Sequence, residues 1–192
     1  MVIPAEYYIR MEETKLKKYA LLIVDVQHAL MMDHPYGETT LVHNLNSLRT
    51  FCYEHNIPVI YIQHDGGPGD DLEEGSEGWK IYSEVAPLPG DLILRKHYNS
   101  AFKSTSLHDI LTEQQITHLI IGGLQTEYCI DATIKSAFDR GYHILVPEGT
   151  TSTFDNDFFT AEELCKYYEK KIWKKRFACV LPLGELTAQL FL

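Results

Sequence analysis

The chain has 192 residues, 45% of them hydrophobic and 23% charged, with 27 acidic side chains against 17 Lys and Arg and a formal charge of −10. A chain of this size buries about 70% of its surface on folding, so the expectation is one globular domain over 1–192, and disorder and collagen-like repeats are excluded. The acidic balance repels polyanions at long range, so neither nucleic acid nor a membrane surface is an expected partner.

No apolar run approaches the ~18 residues needed to span a bilayer, and the first twenty residues hold no apolar core of signal-peptide length, so a cytoplasmic location is expected. Cys52, Cys129, Cys165 and Cys179 form no C-x-x-C pair and no zinc spacing. They read as free thiols, and no metal or cofactor is expected.

Short apolar runs alternate with longer amphipathic stretches. In chain order, strands are expected at 20–24, 58–62, 92–94, 118–121, 142–146 and 177–181, with helices at 37–55, 106–115, 127–140, 160–174 and 185–191. Several strands are rich in Ile and Val with no polar alternation, the pattern of burial on both faces. Strand–helix alternation of this kind predicts an α/β fold with a parallel sheet, right-handed crossovers and helices on both sides. Residues 65–91 do not fit the alternation. They combine glycines at 66, 67, 69, 75 and 78 with Asp70, Asp71, Glu73 and Glu74. Such a connection reads either as a loop or lid beside a pocket or as a solvated insertion.

In open parallel sheets, ligands bind beyond the carboxyl ends of the strands, so the polar residues that end the strands carry the functional reading. The first strand ends in Asp25 and Gln27, the second in Gln63, His64 and Asp65, the third in Arg95, Lys96 and His97, and the fourth runs into Gly122-Gly123-Leu124-Gln125-Thr126-Glu127-Tyr128-Cys129. Thr126 as a helix N-cap would place Cys129 in the first helical turn, where the helix dipole favours thiolate. The plain alternative is a buried, inert cysteine. Asp25 is a general acid–base candidate or a capping carboxylate, and Lys96 is a charge-stabilising ammonium or a solvated surface cation. Together the three supply a nucleophile, a base and a cation on one sheet edge, the parts needed for covalent acyl transfer.

The segments Leu21-Leu22-Ile23-Val24-Asp25-Val26-Gln27, Lys96-His97-Tyr98-Asn99-Ser100-Ala101-Phe102 and Gly122 through Cys129 resemble, in order and separation, the three signatures of the isochorismatase-like cysteine hydrolases. The resemblance covers about residues 18–182. It implies a three-layer α/β/α fold with strand order 3-2-1-4-5-6, and an Asp25–Lys96–Cys129 triad that opens a carbon–nitrogen bond of a small-molecule substrate through a cysteine-bound intermediate. It also implies a cis peptide at Leu124–Gln125, with the amides of Gln125 and Cys129 facing an oxyanion, and a homo-oligomer, dimer or tetramer. Members that cleave the vinyl ether of isochorismate lack the nucleophilic cysteine, so Cys129 favours amide, imide or lactam substrates. Nicotinamidases build a metal site from an Asp-x-His element and a nearby histidine. This chain has Gln63-His64-Asp65 and no further histidine until His97. The wording around Cys129, with Trp79 in the preceding loop, is nearest the branch that includes streptothricin hydrolase and uncharacterised members. Two other readings stay open: vinyl-ether hydrolysis that does not use the cysteine, and a non-catalytic small-molecule-binding member of the fold.

Gln27, His64, Trp79, Tyr98, Phe102 and Tyr128 are candidates for the substrate-binding wall by their nearness to these segments, each with a packing or backbone-bonding alternative. Residues 166–176 hold six basic side chains interleaved with Tyr167, Tyr168 and Trp173. They read as the solvated face of an amphipathic helix, with a nucleic-acid patch as the alternative.

Overall fold

The computed structural model describes residues 17–190. The apolar run after Lys18 becomes β1 (Tyr19–Val24), in which Ala20 through Val24 are all buried. Its side chains alternate between two separate cores. Ala20, Leu22 and Val24 enter one, while Leu21 and Ile23 enter the other. A strand can supply two cores in this way only when helices cover both faces, which is why its sequence is continuously apolar.

Around β1 stand β2 (Val59–His64), β3 (Leu92–Lys96), β4 (His118–Gly123), β5 (His143–Pro147) and β6 (Cys179–Leu181). All pair in parallel, in the order β3-β2-β1-β4-β5-β6. One face is covered by α1 (His28–Met32), α2 (Glu38–Glu54) and α6 (Leu183–Gln189), which contribute Met31, Leu41, Leu45, Leu48 and Leu186. The other is covered by α3 (Leu107–Glu113) and α4 (Asp131–Asp139), through Leu107, Leu111, Ile134 and Ala137, with Trp173 packed beside them. α5 (Ala161–Tyr167) starts at a reciprocal capping box between Thr160 and Glu163. This is the expected three-layer α/β/α arrangement and strand order.

Several boundaries differ from the sequence expectation, for identifiable reasons. β3 is an edge strand, so Leu92 and Ile93 are exposed rather than buried on both faces. The helix expected at 127–140 is divided into a π-helical turn, Thr126–Ile130, and α4. The helix expected at 160–174 ends in a second π-helical turn, Tyr168–Trp173. β6 is shorter than 177–181 because the Phe177 and Ala178 amides bond back to the Trp173 carbonyl. The short α1 carries no periodicity long enough to announce it. The 65–91 connection is stitched to the chain after β1: His28 donates to the Lys80 carbonyl, Ala29 to Gly78 and Tyr82 to Val26. Those bonds tie its second half to the sheet end, while most of residues 66–77 stay exposed, and it contains a short 3₁₀ turn, Ser83–Val85.

Candidate active site

Asp25 follows the last residue of β1 with φ at +52°, in the left-handed region that few non-glycine residues occupy. Its amide donates to the Ile62 carbonyl and its own carbonyl accepts from Gln27, so the turn is held on both sides. The carboxylate is 1% exposed, and its Oδ2 lies 2.6 Å from the Lys96 Nζ. Lys96 ends β3, two strands away, about 10 Å at roughly 4.8 Å per spacing. Its stem crosses the end of β2, where the strand register places His64 opposite Lys96. The ammonium therefore meets three acceptors: Asp25 Oδ2, His64 Nδ1 at 3.2 Å and Cys129 Sγ at 3.2 Å. An ammonium has three N–H donors and no acceptor, so its capacity is filled by these groups.

The burial of this cluster sets its protonation. Burial pushes the Cys129 thiol up to about 12, with the Asp25 charge adding to the rise and Lys96 opposing it. The sulfur therefore carries its proton at neutral pH, which corrects the expectation of a thiolate favoured by a helix dipole. The expected cap is corrected too. Thr126 is fully buried, its hydroxyl donating to the Ser152 carbonyl, and Gln125 takes the flanking position in extended backbone. Burial and then the Lys96 charge lower the His64 pKa. The imidazole is neutral, and its Nδ1 can accept from the ammonium. Asp25 Oδ1 is buried and has no hydrogen-bond partner among the described residues. It is an open acceptor in the same cluster as a protonated thiol.

β4 delivers the cysteine loop. Gly123 has φ at +128°, and a Cβ there would lie 1.9 Å from the Val24 carbonyl oxygen, so only glycine lets β4 pass this close to the end of β1. The Leu124 amide bonds that same carbonyl at 2.9 Å. The Leu124–Gln125 peptide is cis. The chain then turns through Thr126–Ile130 and presents Cys129, half-buried, to the Asp25–Lys96 pair.

The six wall candidates separate into three groups. Gln27 and Phe102 take the backbone-bonding and packing alternatives. Gln27 is fully buried, and its amide is spent on backbone, accepting from the His64 amide at 2.8 Å and donating to the carbonyls of His64 at 2.9 Å and Trp79 at 2.8 Å. It clasps the residue that in turn faces Lys96. Phe102 is 4% exposed and packs in the core beside Tyr142, so it has no face for a ligand. His64 and Trp79 are half-buried. His64 faces the lysine. Trp79 lies under the Arg95 guanidinium at 4.9 Å, and its carbonyl accepts from both Gln27 and Gln63. Tyr98 and Tyr128 are exposed, Tyr98 with the Lys103 ammonium over its ring at 3.8 Å.

Asn99 was not singled out from the sequence, yet its Oδ1 lies 4.0 Å from Cys129 Sγ. Its position three residues after Lys96 is the signal that could have found it. Among the described residues, no group of three or more His, Cys, Asp and Glu side chains is placed to hold a metal ion, and no helix is long and apolar enough to cross a membrane.

Comparison with known proteins adds a relationship to this geometry. The isochorismatase domain family matches residues 19–168. A streptothricin hydrolase of Streptomyces noursei is 31% identical over 139 residues, 71% of this chain and 55% of that protein, so the chain spans little more than half of that relative. A ureidoacrylate amidohydrolase of Cronobacter sakazakii is 24% identical over 170 residues, covering 69% of this chain and 73% of that protein. The crystal structure of an isochorismatase family protein superposes with a TM-score of 0.81 at 34% identity, over 87% of this chain and 99% of that one.

Proposed function

The chain belongs to the isochorismatase family of hydrolases, and from that premise we propose that it hydrolyses a carbon–nitrogen bond of amide, imide or lactam type in a small molecule, through an acyl group carried on Cys129. The observation that carries this reading is the single buried ammonium shared between Asp25 and Cys129, with an unpartnered carboxylate oxygen in the same cluster. The names of two relatives, a streptothricin hydrolase and a ureidoacrylate amidohydrolase, support the amide class.

The steps follow from the groups present. As sulfur attacks the substrate carbonyl carbon, its proton passes to Asp25, and the carbonyl electron pair moves onto oxygen. Lys96 holds both the carboxylate and the sulfur while this charge relocates, so little reorganisation is needed. The oxyanion accepts hydrogen bonds from the amides of Gln125 and Cys129. Collapse re-forms the carbonyl and breaks the carbon–nitrogen bond, and Asp25 returns its proton to the departing nitrogen. A thioester on Cys129 remains. Asp25 then takes a proton from water as its oxygen adds to the thioester, and collapse expels the sulfur. The sulfur recovers the proton from Asp25, and the acid leaves. Because the thiol rests protonated, proton transfer and attack are coupled events, and a free thiolate is not stored.

The test is ammonia or amine release across small amides, ureido acids and lactams, with the wild-type chain and Cys129→Ala side by side. Turnover by the first and none by the second, with the far-ultraviolet circular dichroism spectrum unchanged, is the expected result. Retained turnover in Cys129→Ala overturns the nucleophile assignment.

A further inference from the structure

The carboxyl ends of the strands hold the triad, and the amino ends open onto a separate cavity of about 760 Å³. At about 3.3 Å per residue, the six-residue strands β1 and β4 place the two on the order of 20 Å apart. Tyr19, His118 and His143 are the first residues of β1, β4 and β5, and the register sets them side by side. Their rings form a ladder across three strand starts. Tyr19 and His118 are 4.9 Å apart between centroids, and His118 and His143 are stacked at 4.6 Å with 24° between planes.

Lys174, Lys175 and Arg176 line the same cavity, together with Lys17. The sequence assigned the first three to the solvated face of a helix. The structure corrects this: the helical segment ends at Trp173, and Lys175 adopts φ +62° as the chain doubles back toward β6. The turn therefore gathers the cations over the cavity. Among the described residues, no acidic side chain lines it and none of the four cations is in an ion pair. Lys135 and Lys166, by contrast, pair with Asp131 and Glu162. In a chain of net charge −10, an all-cationic cavity is a local reversal of the prevailing field. Phe177 supplies an apolar wall, and the volume is that of a small-molecule site.

We propose that this cavity is a second, non-catalytic binding site for a small anion that joins a phosphate or carboxylate to a flat ring. The ring stacks on the Tyr19–His118–His143 ladder and the anionic group faces Lys17 and the 174–176 turn. Burial, His143 and Lys17 together depress the His118 pKa to about 4, so the site resists a further positive charge and would gain from a negative one. The inference is independent of the reaction at Cys129.

The test uses phenyl phosphate as the probe on the full chain, followed through the imidazole signals of His118 and His143 by NMR. Saturable shifts are expected in both, with the His64 signals unmoved, and the affinity should weaken as salt is raised. Lys174→Ala/Arg176→Ala, at exposed positions, should bind at least tenfold more weakly with an unchanged thermal midpoint. Inorganic phosphate, which lacks the ring, and benzyl alcohol, which lacks the charge, should each bind more weakly than phenyl phosphate. Unmoved His118 and His143 signals, an undiminished affinity in the double variant, or equal binding of either control would overturn the proposal.

Discussion

The two ends of the sheet treat positive charge in opposite ways. At the carboxyl end, one ammonium is buried to 1% exposure and every N–H it has meets an acceptor. At the amino end, Lys17, Lys174, Lys175 and Arg176 line a cavity that has no acidic side chain among its described walls. A buried charge is tolerated only with partners, because desolvation costs several kcal/mol per ion, whereas a cation left in water costs little on its own. The first arrangement fixes geometry and gains nothing from another ligand to nitrogen. The second fixes little and leaves positive potential unspent. One end is therefore suited to reaction, and the other to capture of an anion.

The largest break in this comparison comes from Lys96→Met. It removes the shared donor and strands a buried carboxylate, so turnover should fall by about a thousandfold or more and stability by about 3–5 kcal/mol. Adding Asp25→Asn to Lys96→Met should recover most of the stability and none of the activity, read by urea unfolding and by product release. If activity returned with stability, the ammonium would be a structural group only.

Gln27→Leu sharpens the same end from further back. It leaves the His64 amide and two carbonyls without their clasp and should cost about 2–3 kcal/mol. Since Gln27 spends its amide on the His64 and Trp79 backbone and so holds His64 against Lys96, kcat should drop about tenfold while KM stays near its starting value. A rise in KM alone would put Gln27 in contact with substrate after all.

A smaller effect follows from the thiol. With its pKa near 12, the thiolate fraction of Cys129 gains tenfold per pH unit throughout the accessible range. Alkylation of Cys129 by iodoacetamide, followed by peptide mass spectrometry, should keep rising past about pH 10 instead of levelling near the ordinary thiol value of about 8.5. A plateau near 8.5 would mean that the buried cation outweighs burial.

The last effect lies at the amino end. His118 titrates near 4 in the folded chain against 6.5 in its absence, so between those values the unfolded state binds more protons. Stability therefore falls as pH drops from 6.5 toward 4. His64 is shifted in the same direction, so His118→Gln should flatten this slope without abolishing it, measured by urea midpoints at several pH values across that window.

Much of the carboxyl end was legible in the sequence. Continuous apolar runs announce strands buried on both faces, and the polar residues that terminate them are conspicuous, which is how Asp25, Lys96 and Cys129 stand out. What lies between them was not legible. The Gln27 clasp joins a side chain to backbone 37 residues away, and no local pattern encodes such a contact. The role of His64 depends on the β2–β3 register, which places it opposite Lys96. The protonation of Cys129 depends on burial, a property of the assembled layers, so a reading from local dipole alone took the wrong sign. At the amino end, 166–176 has the composition of one charged helix face, and the bend that gathers its last three cations depends on Lys175 entering the left-handed region.

A sulfur that burial keeps protonated at rest has a consequence for survival. Peroxide and other electrophiles consume thiolates, not thiols. Burial, with the Asp25 charge adding to it, holds Cys129 neutral at rest and so guards the half-buried sulfur from oxidative loss, at the expense of reactivity toward anything that does not fit the site.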